Sequence, residues 1–311
     1  MPVTDDGNLG DEKERSVATQ SVQEQGGPDD IAPAKHPRRV LIVGGSGHVG
    51  TFVTPYVQRA GHTLRVLDIR PPVATGVEYV EGSVTDPDAV ARALDGVDTF
   101  LWVVMQKPQG GSVTDQDVPT ILANYEVNGK GLHLMLFLAQ QRGIRAGVYT
   151  STMSVHYRHR PFYSGEDEIP LDTPSVYGLT KGYGESTCRY FARWFGMHIM
   201  ALRITGPRTR AQFLEERRTR PDRVYPDGTD TGSRIYIVDE ADLARAYLGA
   251  IDAITEGASH APVDPPLPQT RRRGRFDAIF IAGDEHEEWH NLGRARNLIG
   301  WSPRSHLLLK S

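Results

Sequence analysis

The chain has 311 residues, 39% of them hydrophobic, enough for one large core or two modest domains. A formal net charge of −4 gives no global signal for nucleic acid or an anionic membrane, and the single cysteine, Cys188, excludes an internal disulfide framework and fits a reducing compartment. No run approaches the roughly 18 apolar residues of a membrane span, and the N-terminus lacks the apolar core of a secretory signal. The expectation is a soluble cytoplasmic protein that binds neither nucleic acid nor membrane.

Residues 1–37 are acid-rich, poor in apolar residues and carry Gly26-Gly27-Pro28, which predicts a disordered extension. Order is expected from Arg39. The run Val40-Leu41-Ile42-Val43 has the continuous apolar character of a buried parallel strand. A glycine-rich turn and a helix from Val49 to about Ala60 follow, ended by Gly61. Strands are predicted over 63–68, 77–80 and 99–104, with a helix over 86–94 that opens on Asp86-Pro87. A polar loop from Gln106 to Pro119 leads to a helix that ends near Gly143. Then come a strand over 146–151, a helix over 176–195 and a strand over 198–203. Beyond Arg203 the pattern is irregular. A short strand (235–238), a helix (239–254), a strand (278–281) and a last helix (291–299) are expected. Strands alternating with helices predict an α/β fold with a doubly wound parallel sheet. The arginines from Arg208 to Arg223 and the Arg271-Arg272-Arg273 cluster read as solvated loops unless a ligand claims them.

Two motifs carry chemistry. Gly44, Gly47 and Gly50 follow the first strand and open the first helix, with His48 and Val49 between the last two. Glycines at that spacing permit a tight turn, close backbone approach to a pyrophosphate and close helix–sheet packing, and the helix N-terminus offers free N–H groups to phosphate. Asp68 closes the second strand, where a carboxylate accepts the adenosine ribose hydroxyls and repels a 2′-phosphate. This favours NAD over NADP. Arg70 pulls the other way, because arginine accommodates that phosphate, and Asp68 is given the greater weight. Tyr177 and Lys181 are one helical turn apart on one face. An unperturbed tyrosine, with a pKa of about 10, is a poor base at neutral pH, and a nearby ammonium lowers that value. Alone, this spacing is common on helix surfaces.

Taken together, the motifs resemble the extended short-chain dehydrogenases/reductases of the NAD-dependent epimerase/dehydratase family, from about Val40 to Leu307. The features in family order are the glycine motif, Asp68, Asn128 within Val127-Asn128-Gly129-Lys130-Gly131, and Ser151-Thr152. Tyr177/Lys181, Gly206-Pro207 and the late Ile299-Gly300-Trp301-Ser302-Pro303 complete them. The resemblance implies a Rossmann domain over 38–205 and a smaller, mostly substrate-binding α/β portion over 206–311, some of which returns to the core. It also implies NAD as cofactor, no metal, and a homodimer. It assigns Thr152 to the substrate oxygen, Tyr177 to proton abstraction, and Lys181 to Tyr177 and the nicotinamide ribose. Asn128 would anchor a water in the proton relay. Ser83, Val84 and Val103 would contact the cofactor, and Met105 and Met153 the substrate.

Departures narrow the reading. Trp102-Val103-Val104-Met105 replaces the family's frequent His-Leu-Ala-Ala, and Ser83 replaces the usual adenine-side Asp. Met153-Ser154 stands where nucleotide-sugar dehydratases carry Asp-Glu, which argues against dehydration. Net dehydrogenation and epimerisation use the same residues and both remain open, while a non-catalytic NAD-binding role is disfavoured by retention of Thr152, Tyr177 and Lys181. The short polar stretch after Arg203 and a likeness of Tyr177–Glu185 to uronate dehydrogenases point to a small sugar, sugar acid or polyol. Arg208 and Arg210 would take an anionic end, or Arg234 a nucleotide phosphate.

Overall fold

The apolar runs become parallel neighbours in a computed structural model, which describes residues 31–106, 116–157, 160–219, 237–258 and 274–305. In chain order the elements are β1 (Arg39–Val43), α1 (His48–Arg59), β2 (Thr63–Asp68), β3 (Glu78–Glu81), α2 (Pro87–Ala93) and β4 (Thr99–Trp102). Next are α3 (Val118–Asn124), a π-helical turn (Tyr125–Gly131), α4 (Leu132–Gln141), β5 (Ala146–Thr152) and a 3-10 turn (Met153–Val155). The rest are α5 (Val176–Phe195), β6 (His198–Ile204), β7 (Gly206–Arg208), α6 (Arg210–Thr219), β8 (Ile237–Asp239), α7 (Glu240–Ala258), β9 (Arg275–Ile281) and α8 (Gly293–Ile299).

Among the described residues the main sheet has seven strands in the order β3-β2-β1-β4-β5-β6-β9, every pairing parallel. The doubly wound expectation holds. Successive residues of β1 feed opposite cores: Val40 and Ile42 pack with α1 and α7, whereas Leu41 and Val43 pack with α2, α4 and α5. The strand order reverses between β1 and β4, which opens a crevice at the carboxyl edge of the sheet.

Helix α5 follows its sequence signals closely. Ser175 caps it by accepting the Gly178 N–H at 3.0 Å, and Gly196 ends it in the left-handed region at φ 68°. The stripe Thr180, Gly184, Cys188, Phe191 and Phe195, whose spacing predicts a core face, is buried except at Phe195, which is partly buried against the same core. Trp301 in the terminal segment is also buried and donates its indole N–H to the Asp242 carbonyl at 2.8 Å.

Three features depart from expectation. The helix leading to Gly143 is broken by the π-helical turn, where Gly129 and Gly131 weaken the helix and Asn128 reaches out to the backbone of Gln106. The segment after β6 is built rather than irregular: β7 pairs in parallel with β8, and α6 follows. Helix α6 escaped the pattern reading because it is polar, with Phe213 as its buried anchor. At the start of the chain, Ala34 donates to the Ala60 carbonyl and Ile31 packs beside Tyr56, so ordered contacts precede Arg39. Residues 1–30 of the expected extension, the Arg271–Arg273 cluster and Leu307 lie outside the described residues.

Candidate active site

The glycine turn joins β1 to α1 and presents backbone where side chains would otherwise stand. Gly44 has φ +88°, and a Cβ there would come 2.8 Å from Val104 Cγ2. A Cβ on Gly50 would come 2.5 Å from Gly45, so the helix seats directly on the turn. Asp68 fixes the other wall. Its Oδ2 accepts the Ser46 N–H at 3.0 Å and its Oδ1 accepts the Arg70 N–H at 3.1 Å. The Arg70 side chain folds back to donate to the Ser46 carbonyl at 3.3 Å. Ser83 turns its hydroxyl to Thr85. These features suit a dinucleotide: a helix N-terminus bare of side chains faces a carboxylate held at the ribose position.

From there a cavity of about 490 Å³ runs along the carboxyl edge of the sheet to the start of α5. Of the residues predicted from sequence, it is lined by Gly44, Gly47, His48, Val49, Asp68, Ser83, Val84 and Val103 at one end. Met105, Thr152, Met153, Tyr177 and Lys181 line the other. His48 closes one side through a 3.0 Å contact between its Nε2 and the Pro207 carbonyl oxygen, its ring edge-on to Phe52.

At the far end, Thr152 finishes β5 while Tyr177 and Lys181 occupy the first two turns of α5. Burial pushes the Tyr177 phenol up to about 12, and the neighbouring Thr152 hydroxyl pulls the other way. Lys181 is buried, donates to the carbonyls of Thr150 at 2.8 Å and Val104 at 3.1 Å, and stands over the Tyr149 ring. Burial lowers its ammonium to about 7. Without an added positive charge, Tyr177 rests as a neutral phenol.

Several predicted residues stand elsewhere. Gly50 lies behind the turn as a packing contact. Asn128 does not line the cavity; its amide is taken up by Gln106 N and O, Asn124 Oδ1 and Thr180 Oγ1, so the side chain braces the loop after β4. Arg208 and Arg210 are also absent from the lining. Arg208 pairs with Glu216 at 2.7 Å, and Arg210 is exposed at the start of α6. The polarity of α6 is thus met by ion pairs along the helix, as Arg218–Glu215 repeats. Arg234 lies outside the described residues. The motif reading missed Ile69, Gln106, Ile204 and Thr205, which line the cavity together with Arg70, weighed there against Asp68, and with Ser154 and Pro207, noted only in the family pattern. Their signal was position: each follows or ends a parallel strand at its carboxyl edge, where open α/β sheets bind ligands. Among the described residues, no group of three or more His, Cys, Asp or Glu could hold a metal, and no helix is long and apolar enough to cross a membrane.

The model of the NAD dependent epimerase/dehydratase family matches residues 40–260, more than half of the chain. A 3 beta-hydroxysteroid dehydrogenase/Delta 5-->4-isomerase of Mycobacterium tuberculosis is 32% identical over 137 residues, 42% of this chain and 36% of that protein. A uronate dehydrogenase of Pseudomonas syringae is 27% identical over 173 residues, 53% of this chain and 58% of that protein. The chain therefore aligns with only about a third to three fifths of these relatives. The fold is shared with a UDP-glucose 4-epimerase from Brucella ovis in complex with NAD, at TM-score 0.67 and 17% identity, covering 87% of this chain and 95% of that one. The glycine turn, the placement of Asp68 and the family match agree: the chain belongs to the NAD-dependent epimerase/dehydratase family, and its cofactor is NAD.

Proposed function

We propose that the protein is a dehydrogenase that oxidises a secondary alcohol, with Tyr177 as the base. The observation that carries this is the meeting of Thr152, Tyr177 and Lys181 at one end of the cavity whose other end suits the dinucleotide. NAD supplies the hydride acceptor when bound. Thr152 holds the substrate oxygen beside the Tyr177 phenol. The Lys181 ammonium stabilises the phenolate, which takes the hydroxyl proton. Lys181 itself is steadied by the Thr150 and Val104 carbonyls.

For the substrate, the wall around these residues favours an alcohol with an apolar body. Val104, Met105, Met153, Ile204 and Pro207 line the same cavity as Thr152 and Tyr177, and its charged lining side chains among the described residues are Lys181 and, beside the glycine turn, Asp68 and Arg70. The steroid-handling relative supports this choice. The sugar-acid reading loses the anion-binding role given to Arg208, which pairs with Glu216, and keeps the short polar stretch after Arg203, the likeness to uronate dehydrogenase and the polar Ser154 and Thr205. Purified protein incubated with NAD and panels of hydroxysteroids, uronic acids and UDP-sugars separates the readings. NAD reduction by one panel identifies the class. Interconversion of UDP-sugars on retained NAD, with no net reduction, would replace the dehydrogenase by an epimerase.

Exposed Leu179, Tyr183, Tyr190 and Trp194 along α5 support the homodimer that the family resemblance implies, and sedimentation equilibrium tests it. The buried free thiol of Cys188 is compatible with a cytoplasmic location.

A further inference from the structure

Beneath the catalytic residues lies a buried polar network that the proposed reaction does not use directly. Its centre is Glu185, one helical turn beyond Lys181 on α5. Arg203 on β6 clasps its carboxylate with two bonds, Nε to Oε1 at 2.9 Å and Nη2 to Oε2 at 2.7 Å. The Ser151 hydroxyl donates to Oε1 at 2.5 Å, and Ser151 stands opposite Arg203 in the β5–β6 register. The remaining capacity of Arg203 goes to the Glu166 carbonyl at 2.9 Å and to His156 Nε2 at 3.2 Å. The side chains of Arg203 and Glu185 are 2% and 1% exposed.

An ion pair this deeply buried is weak evidence of stabilisation, since removing two charges from water costs about as much as their attraction returns. Its place gives it another task. Lys181 is also buried, and a buried ammonium tends to shed its proton. The titratable groups around it are Tyr149 on β5, Tyr177 and Cys188 on α5, and Tyr247 on α7, which is bonded to Thr150. Burial pushes all three tyrosines and the Cys188 thiol upward, so at neutral pH they carry no charge. Among the described residues, the charged groups left beside Lys181 are Glu185 and its partner Arg203, and the carboxylate acts to keep the ammonium protonated.

We infer that Glu185 is a positioning residue for Lys181: clamped by Arg203 and Ser151, it presents a fixed negative charge that helps keep the buried lysine charged. The clamp matters because a free carboxylate would swing to the ammonium and neutralise it as a salt bridge, removing it from Tyr177. The value of this role rests on the proposed dehydrogenase reading, but its test does not.

The test reads Lys181 directly. The chain has six lysines, so protein labelled with 13C at lysine Cε gives few NMR signals, and Lys181→Met assigns the buried one. In wild-type protein its midpoint is expected near 7, apart from exposed lysines, which titrate at about 10.4. Glu185→Gln should lower that midpoint by about one pH unit, tenfold in the protonation equilibrium. Glu185→Asp keeps the charge and should restore most of the shift. Should Glu185→Gln leave Arg203 unpaired and the protein unfolded, Glu185→Gln/Arg203→Met removes both charges, and a drop of about half a unit is expected. A midpoint within a few tenths of wild type in Glu185→Gln, or in the double variant if the single one does not fold, would overturn the inference. The dehydrogenase reading fails separately, by Tyr177→Phe retaining turnover.

Discussion

The cavity is held at one end by a glycine turn with no room for a Cβ and is lined at the other by the side chains proposed to react. At the first, a Cβ on Gly44 or Gly50 has no room, and the Asp68 carboxylate is locked by two backbone N–H groups. At the second, Met105, Thr152 with Met153, and Tyr177 project from three separate stretches of chain, and Met105 is 44% exposed. A wall of backbone fixes one ligand and tolerates little change. A wall of side chains re-specifies more easily.

The comparison is broken most severely at the reacting end. Tyr177→Phe should lower turnover by about 10²–10⁴-fold, the usual worth of a general base, while calorimetry shows NAD binding nearly unchanged. Gly50→Val strikes the other end: its side chain would drive into Gly45, so NAD affinity should fall below detection, together with a lower melting temperature. If Gly50→Val binds NAD normally, the backbone wall is less rigid than claimed. Asp68→Ala should reduce the preference for NAD over NADP by about tenfold, the scale of one charge-assisted contact worth 1.5–3 kcal/mol. Unchanged selectivity would shift the discrimination to Arg70.

A further effect lies away from both ends and concerns stability. Burial lowers His156 to about 4, with Arg203 also acting against its charge and the Pro170 carbonyl opposing both. A histidine depressed on folding stabilises fully above its unfolded value of about 6.5 and loses that contribution as pH falls toward 4. The loss across that window is about 3 kcal/mol. Chemical denaturation at pH 7 and pH 4.5 should therefore differ less in His156→Gln than in wild type.

What could be read from the residues follows the same divide. The glycine turn and Asp68 are local features in which backbone demands dictate residue type, so their pattern was visible. The twenty residues of α5 coincide with the helix expected over 176–195, although its caps, Ser175 and Gly196, were not singled out. The π-helical turn depends on Asn128 finding Gln106 and Thr180, contacts that no local pattern encodes. The arginines after β6 misled because arginine composition does not distinguish a ligand site from a helix surface. Arg208 takes Glu216 as its partner, eight residues on. Ile204, Thr205 and Pro207 carry no motif and enter the site only because β6 ends there.

The claim that most needs testing is that the reacting end takes an apolar alcohol and deprotonates it with Tyr177. The direct measurement is the initial rate of NAD reduction with a 3-hydroxysteroid and with glucuronate, for wild type and Tyr177→Phe. The expected result is reduction with the steroid alone, abolished in Tyr177→Phe. Reduction with glucuronate and none with the steroid, or equal rates in the two proteins, would contradict it.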